Sequence, residues 1–135
     1  MTARRVLLLL VSLVTACFLG TGQGVTTSAM KPPLVRIAEL EIDPAHLEAY
    51  RAALKEEIAA SIRMEQGVLT LYAVSVKDHP TQIRIFETYA DQAAYEAHRQ
   101  TSHFQKYKRE TQGMVKSLRL IETDPILLGA QTSQH

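Results

Sequence analysis

From Leu34 onward the apolar positions alternate between two rhythms, one of strands and one of helices. Leu34 to Ile42 reads as a strand, and Asp43-Pro44 then starts a helix. The Asp side chain can cap free amides, and Pro suits a first turn that has no use for its missing N–H. Leu47, Tyr50, Leu54, Ile58 and Ile62 recur at helical spacing as far as Gly67, which makes this the longest helix. Two strand-like runs follow, Val68 to Val76 and Gln82 to Tyr89, separated by the turn-forming Lys77-Asp-His-Pro-Thr81. Short helices are predicted from about Asp91 and from about Thr101. Thr101 or Ser102 can cap the second, and Gln105 can complete a capping box with Ser102. A last strand covers Val115 to Glu122. The order βαββαβ is that of a ferredoxin-like α+β fold.

The strands are apolar on both faces. In the second, Val68, Tyr72, Val74 and Val76 share one face while Leu69, Leu71 and Ala73 share the other; in the third, Ile83 and Ile85 oppose Phe86. A sheet covered by helices on one side alone normally alternates apolar and polar. Three helices cannot cover both faces, so a second sheet is expected on the open one, most simply from a symmetry mate. The expected assembly is a homodimer built as an α+β barrel, with Asp124-Pro-Ile-Leu-Leu-Gly as an arm toward the partner or a loose tail over residues 125–135.

Ahead of this body, Arg4-Arg5 precede an apolar run from Val6 to about Leu19. The run falls short of the ~20 residues of a membrane span and reads as a secretory signal over residues 1–29. Leu13-Val14-Thr15-Ala16-Cys17 has the form of a lipobox, so Cys17 is a candidate lipidation site; Thr27-Ser28-Ala29 offers an ordinary cleavage site instead. The linker 30–33 leads to a single domain over residues 34–124. The expected location is the periplasm or cell envelope, with membrane attachment only through the signal or a lipid.

Composition narrows the chemistry. Cys17 is the only cysteine, so the body has neither a disulfide nor a cysteine cluster for zinc or iron–sulfur. Without Arg4 and Arg5, the 15 basic side chains fall to 13 against 14 acidic ones, and a near-neutral body does not suggest nucleic acid. About 105 residues follow the signal, enough to bury only ~60–70% of the unfolded surface, which also favours association.

The candidate chemistry is concentrated around two histidines. His98 follows Ala94 by four and Tyr95 by three, so all three share the helix face that meets the sheet. A neutral imidazole there can accept a proton or hydrogen-bond a substrate oxygen; the alternative is a buried core histidine. His103 sits near the start of the next helix. Five residues separate the two, which is not the i, i+4 spacing of a helical metal pair, and no metal is expected. Glu87 shares a strand face with Ile83, Ile85 and Tyr89, where burial would raise its pKa unless it pairs with Arg36, Arg84 or Arg119. Tyr72, Tyr89, Tyr95 and Tyr107 can grip an aromatic ring and hydrogen-bond its oxygens, or serve simply as core. No glycine-rich dinucleotide loop occurs.

The block Glu87-Thr-Tyr-Ala-Asp-Gln-Ala-Ala-Tyr-Glu-Ala-His98-Arg-Gln-Thr-Ser-His103 resembles the antibiotic-biosynthesis-monooxygenase family, most closely its quinol monooxygenase branch. There a strand ending in Glu-x-(Trp/Tyr) leads into Glu-Ala-His-x-Gln-Thr-x-His. The resemblance runs from about Leu34 to Glu122, and Glu39 in Ile37-Ala38-Glu39-Leu40 matches an Ala-Glu-Ile segment of those relatives. It implies a dimeric barrel and oxygenation of a quinol or similar phenolic aromatic by O2 with no cofactor. His98, Glu87 and His103 are then the catalytic candidates; Tyr72, Tyr89, Tyr95, Tyr107 and Glu39 are candidate substrate contacts. A non-catalytic quinone-binding module of the cell envelope is the alternative. Haem-degrading relatives carry an asparagine, a tryptophan and an iron-ligating histidine where this chain has Ala38, Tyr89 and Lys108, so that activity would need His103 as a substitute ligand.

Overall fold

The computed structural model describes residues 32–130. The expected signal, the candidate lipidation site Cys17, the first half of the linker and the last five residues lie outside them. Four antiparallel strands form one sheet in the order β2-β3-β1-β4: β1 (Leu34–Ile42), β2 (Val68–Val76), β3 (His79–Tyr89) and β4 (Val115–Thr123). Helices α1 (Leu47–Met64), α2 (Gln92–Gln100) and α3 (Ser102–Thr111) cover one face. This is the expected βαββαβ arrangement.

Strand β1 shows how the core is set. Arg36, Ala38, Leu40 and Ile42 are buried on the helix side while Val35, Ile37, Glu39 and Glu41 point away. Ala38, Leu40 and Ile42 pack with Ile83 and Ile85 of β3 and with Tyr50 and Leu54 of α1. A second cluster joins Val68, Leu71 and Tyr89.

Local chemistry moves several boundaries from where the sequence placed them. Asp43 accepts a hydrogen bond from Ala45 N, but Pro44–His46 forms a 3₁₀ turn, and α1 starts only at Leu47. Its buried stripe runs through Tyr50, Leu54, Glu57 and Ser61, whereas the apolar Ile62 is 51% exposed. The turn between β2 and β3 shrinks to Lys77-Asp78, because Asp78 adopts φ 66°, a left-handed conformation that a short polar side chain tolerates. A register shift between Val68 and Thr70 sets Val68 opposite Tyr89 and turns it into the core, away from Tyr72 and Val74. Thr101 caps α3, and the side chain of Gln105 donates to Arg99 O, so the expected box with Ser102 is not made.

The open face is less uniformly apolar than expected. Tyr72 and Val74 of β2 and Phe86 of β3 form a patch, at 66%, 52% and 46% exposure. Beside it runs a row of charge, in which the Glu39 carboxylate meets Arg84 at 3.5 Å and Arg119 at 3.6 Å. Ile126, Leu127 and Leu128 beyond β4 are also exposed. No helix among the described residues is long and apolar enough to cross a membrane.

One close approach fixes the entry to α2. A Cβ on Gly67 would stand 2.6 Å from the Ala94 Cβ, so only glycine lets the start of β2 meet this helix. Gly67 O also accepts from Ala90 N at 2.9 Å. The carboxylate of Asp91 then caps α2 by accepting from Ala94 N at 2.8 Å.

Candidate active site

Three helices converge on one carboxylate. Glu57, Ser61 and Glu65 recur every four residues along α1, and Glu65 closes the helix as its C-cap. Thr101, in an extended conformation, separates α2 from α3; its hydroxyl donates to His98 O at 2.8 Å and accepts from Phe104 N at 3.3 Å. His98 therefore ends one helix and His103 begins the next, and both turn toward α1.

His98 Nδ1 lies 3.0 Å from Glu65 Oε1 and 3.2 Å from Oε2. His103 Nε2 bonds to the same Oε1. A carboxylate offers only acceptors, so each imidazole must donate the proton on that nitrogen. Burial pushes the Glu65 pKa up, but the hydrogen bonds from His103 and His98 outweigh it and hold the carboxyl below its ordinary value. With Nδ1–H committed to Glu65, neutral His98 presents its lone pair at Nε2. That atom stands 3.7 Å from Glu57 Oε1, too far for a hydrogen bond. The His98 ring is gripped between Phe104 and Tyr89, with centroids at 4.7 and 5.4 Å.

Between these helices and the sheet lies a cavity of about 1010 Å³, with Leu54, Glu57, Ile85, Glu87, Tyr89 and His98 in its wall. Its carboxyls are unlike Glu65. Burial raises the pKa of Glu57, against the hydrogen bond donated by Ser61 Oγ at 2.7 Å. Burial also raises that of Glu87, against the bond donated by the Tyr89 hydroxyl at 3.1 Å. The tyrosine hydroxyls resist ionisation as well: burial raises Tyr89, and pushes Tyr107 up to about 12. Tyr107 shares a 2.7 Å hydrogen bond with Tyr50.

Of the sequence candidates, His98, Glu87, Tyr89, Tyr95 and Tyr107 meet at this cavity. Tyr95 packs edge-on to Tyr89 at 5.2 Å and lies under the Arg36 guanidinium at 4.4 Å. The alternative in which Glu87 pairs with Arg36, Arg84 or Arg119 is not formed: Arg36, its register partner, reaches Glu122 through Nη2 at 3.2 Å, and Arg84 and Arg119 meet Glu39. His103 is part of the site but stands behind His98, bonded to Glu65. Tyr72 and Glu39 need correcting. Both lie on the open face, Tyr72 beside Phe86 and Glu39 between two arginines, because strand alternation turns them away from the helices.

Sequence reasoning missed Glu57, Ser61, Glu65 and Phe104. The signal was present in the stripe Tyr50, Leu54, Glu57, Ser61, which has the helical period, but a search for apolar recurrence passes over its polar members. The i, i+4 spacing rule speaks only to a pair on one helix, and Thr101 sets His98 and His103 on two. Donor atoms of Glu57, His98 and His103 lie within 4.8 Å of one another.

The profile of the antibiotic biosynthesis monooxygenase family matches residues 33–110. Among solved structures, a candidate antibiotic biosynthesis monooxygenase from Bacteroides thetaiotaomicron is 48% identical, over 75% of this chain and 96% of that one, with a TM-score of 0.72. A candidate monooxygenase from Lactobacillus acidophilus is 32% identical over 65% of this chain and 42% of that one, at a TM-score of 0.64. A Pseudomonas aeruginosa protein is 26% identical over 73% and 98%, at 0.67. A search of curated proteins gives no match.

The buried Glu57 carboxyl makes stability depend on pH. Its folded pKa is raised, so folding is penalised as pH climbs from the unfolded value, roughly 4.3, toward the folded one. Glu57→Gln removes that penalty and keeps an acceptor for Ser61. Thermal melts across pH should show the variant more stable near neutrality, by on the order of 1 kcal/mol or roughly 4–8 °C. The difference should close below the ordinary carboxylate range; a gap that does not change with pH would contradict the assignment.

Proposed function

The chain belongs to the antibiotic biosynthesis monooxygenase family, and from that premise we propose that it is a cofactor-independent monooxygenase of a quinol or similar phenolic aromatic. The observation that carries the reading is His98 tied to Glu65 through Nδ1, with Nε2 unbonded at the cavity wall. Glu65 orients the imidazole and stabilises the cation it becomes on taking a proton, the part a buried carboxylate plays behind a general base.

In the proposed reaction His98 Nε2 removes a phenolic proton. The resulting anion is electron-rich, and its carbon bonds to O2. Cleavage of the O–O bond leaves one oxygen on the ring and releases the other as water. For a simple quinol the products are a hydroxyquinone and water, and the substrate supplies all four electrons. Tyr89 and Tyr95 offer the ring faces, while Glu57 and Glu87, with raised pKa values, are suited to hold protons for the departing oxygen. His103 acts through Glu65 as a positioning residue.

Two copies packing through their open faces would cover Tyr72, Val74 and Phe86 and complete the barrel. Phe86→Asp places a charge in that interface. Sedimentation should find the wild-type protein as a dimer and this variant as a folded monomer; a wild-type monomer at micromolar concentration would contradict the packing.

Oxygen uptake by the purified, metal-free protein with menadiol tests the function, against a control for autoxidation. Uptake above the control is expected to fall about 10²–10⁴-fold in His98→Ala, the usual range for a general base. Normal folding of that variant with undiminished uptake would refute the role. Thermal stabilisation by quinones without any uptake would point instead to a binding module.

A further inference from the structure

We propose that Glu57, His98 and His103 form a site for a divalent transition metal such as Zn²⁺, and that its occupancy withdraws His98 from proton transfer. The first argument is chemical. Two imidazoles and a carboxylate brought together in one cluster are the donor set that suits zinc, iron, cobalt or nickel, whereas magnesium and calcium prefer oxygen alone. Their donor atoms already lie within 4.8 Å of one another, and ligands of one zinc ion at ~2.0–2.2 Å stand roughly 3.3–4.4 Å apart. The His98 Nε2 to Glu57 Oε1 distance of 3.7 Å falls in that interval and is too long for a hydrogen bond.

The second argument is the shell behind the donors. A histidine that ligates a metal usually gives its other N–H to a carboxylate, which fixes the tautomer and aims the free nitrogen. His98 does this with Glu65. Ser61 likewise holds Glu57 Oε1.

The third argument is charge. Glu57 is 5% exposed, and among the described residues no lysine or arginine lies within ion-pair distance of it; the nearest basic group is the His98 imidazole at 3.7 Å. The guanidinium of Arg36, which also lines the cavity, reaches Glu122 instead. A buried carboxyl without a fixed countercharge is costly to ionise, and a divalent ion would supply that charge. Because Glu57 and His98 both line the cavity, the ion's remaining positions would open toward it.

Competition with catalysis follows from the single lone pair at His98 Nε2, and it rests on the base role assigned above. The metal site itself does not.

Calorimetric titration of the full chain, freed of metal by a chelator, provides the test. Zn²⁺ is the titrant, and Mg²⁺ and His79→Ala, an exposed hairpin histidine, are the controls. The expected result is one Zn²⁺ per chain and no Mg²⁺ binding. Affinity should fall at least tenfold in His103→Ala and in Glu57→Gln and stay unchanged in His79→Ala. Absence of zinc binding, or equal affinity in the two cluster variants, would overturn the site. Should His103→Ala not fold, Glu57→Gln decides, since it keeps the shape and loses the charge. Zinc-loaded protein should also lose menadiol-dependent oxygen uptake. Uptake retained at full occupancy would overturn the competition and the base role while leaving the site in place. A protein with no uptake at all would refute the monooxygenase reading, and calorimetry would still decide the metal.

Discussion

The Glu65 carboxylate, held between the imidazoles of His98 and His103, is the interaction on which the rest of the site depends. Hydrogen bonds to a charged group contribute roughly 1.5–3 kcal/mol each, against the several kcal/mol that desolvating a lone carboxylate costs. Two such bonds bring the terms near balance, and the lowered pKa of Glu65 shows which side prevails. The arrangement has a topological consequence. Both donors can reach one oxygen only because Thr101 interrupts the helix between them. The end of α1, the end of α2 and the start of α3 are thereby locked together above the sheet.

The same burial acts differently on the other carboxyls. Glu57 and Glu87 receive one neutral hydroxyl donor each, from Ser61 and Tyr89, and that is too little to offset their desolvation. Behind His98 in the cavity wall thus stands a carboxylate that orients an imidazole, while the two carboxyls that line the cavity have pKa values raised by burial. Environments that push titratable groups apart in this way separate the roles of base and acid. Tyr89, which donates to Glu87 and flanks the His98 ring, links the two halves.

How much of this was legible in the chain depended on which kind of pattern carried it. Strand alternation and helix period gave the βαββαβ order and the open sheet face, because burial imposes those periods directly. His98 was legible since Ala94 and Tyr95 share its face. Glu57 and Glu65 were not, because a buried glutamate differs from a solvated one only through partners distant in sequence. Glu65 meets its two partners 33 and 38 residues away. Tyr72 drew attention as a residue type suited to a ligand, and Glu39 through the resemblance of its segment to those of relatives. Their register sends them to the opposite face, and Val68 reached the core only through a register shift that alternation could not foresee.

The central claim is that this cavity ionises a phenol through His98. Anaerobic mixing of the protein with 4-nitrocatechol, whose anion absorbs at longer wavelength than the neutral form, measures that step without oxygen. At a pH below the free compound's first ionisation, the account predicts an anionic spectrum on binding that His98→Ala loses. A neutral bound spectrum, or an equal anionic one in the variant, would contradict it.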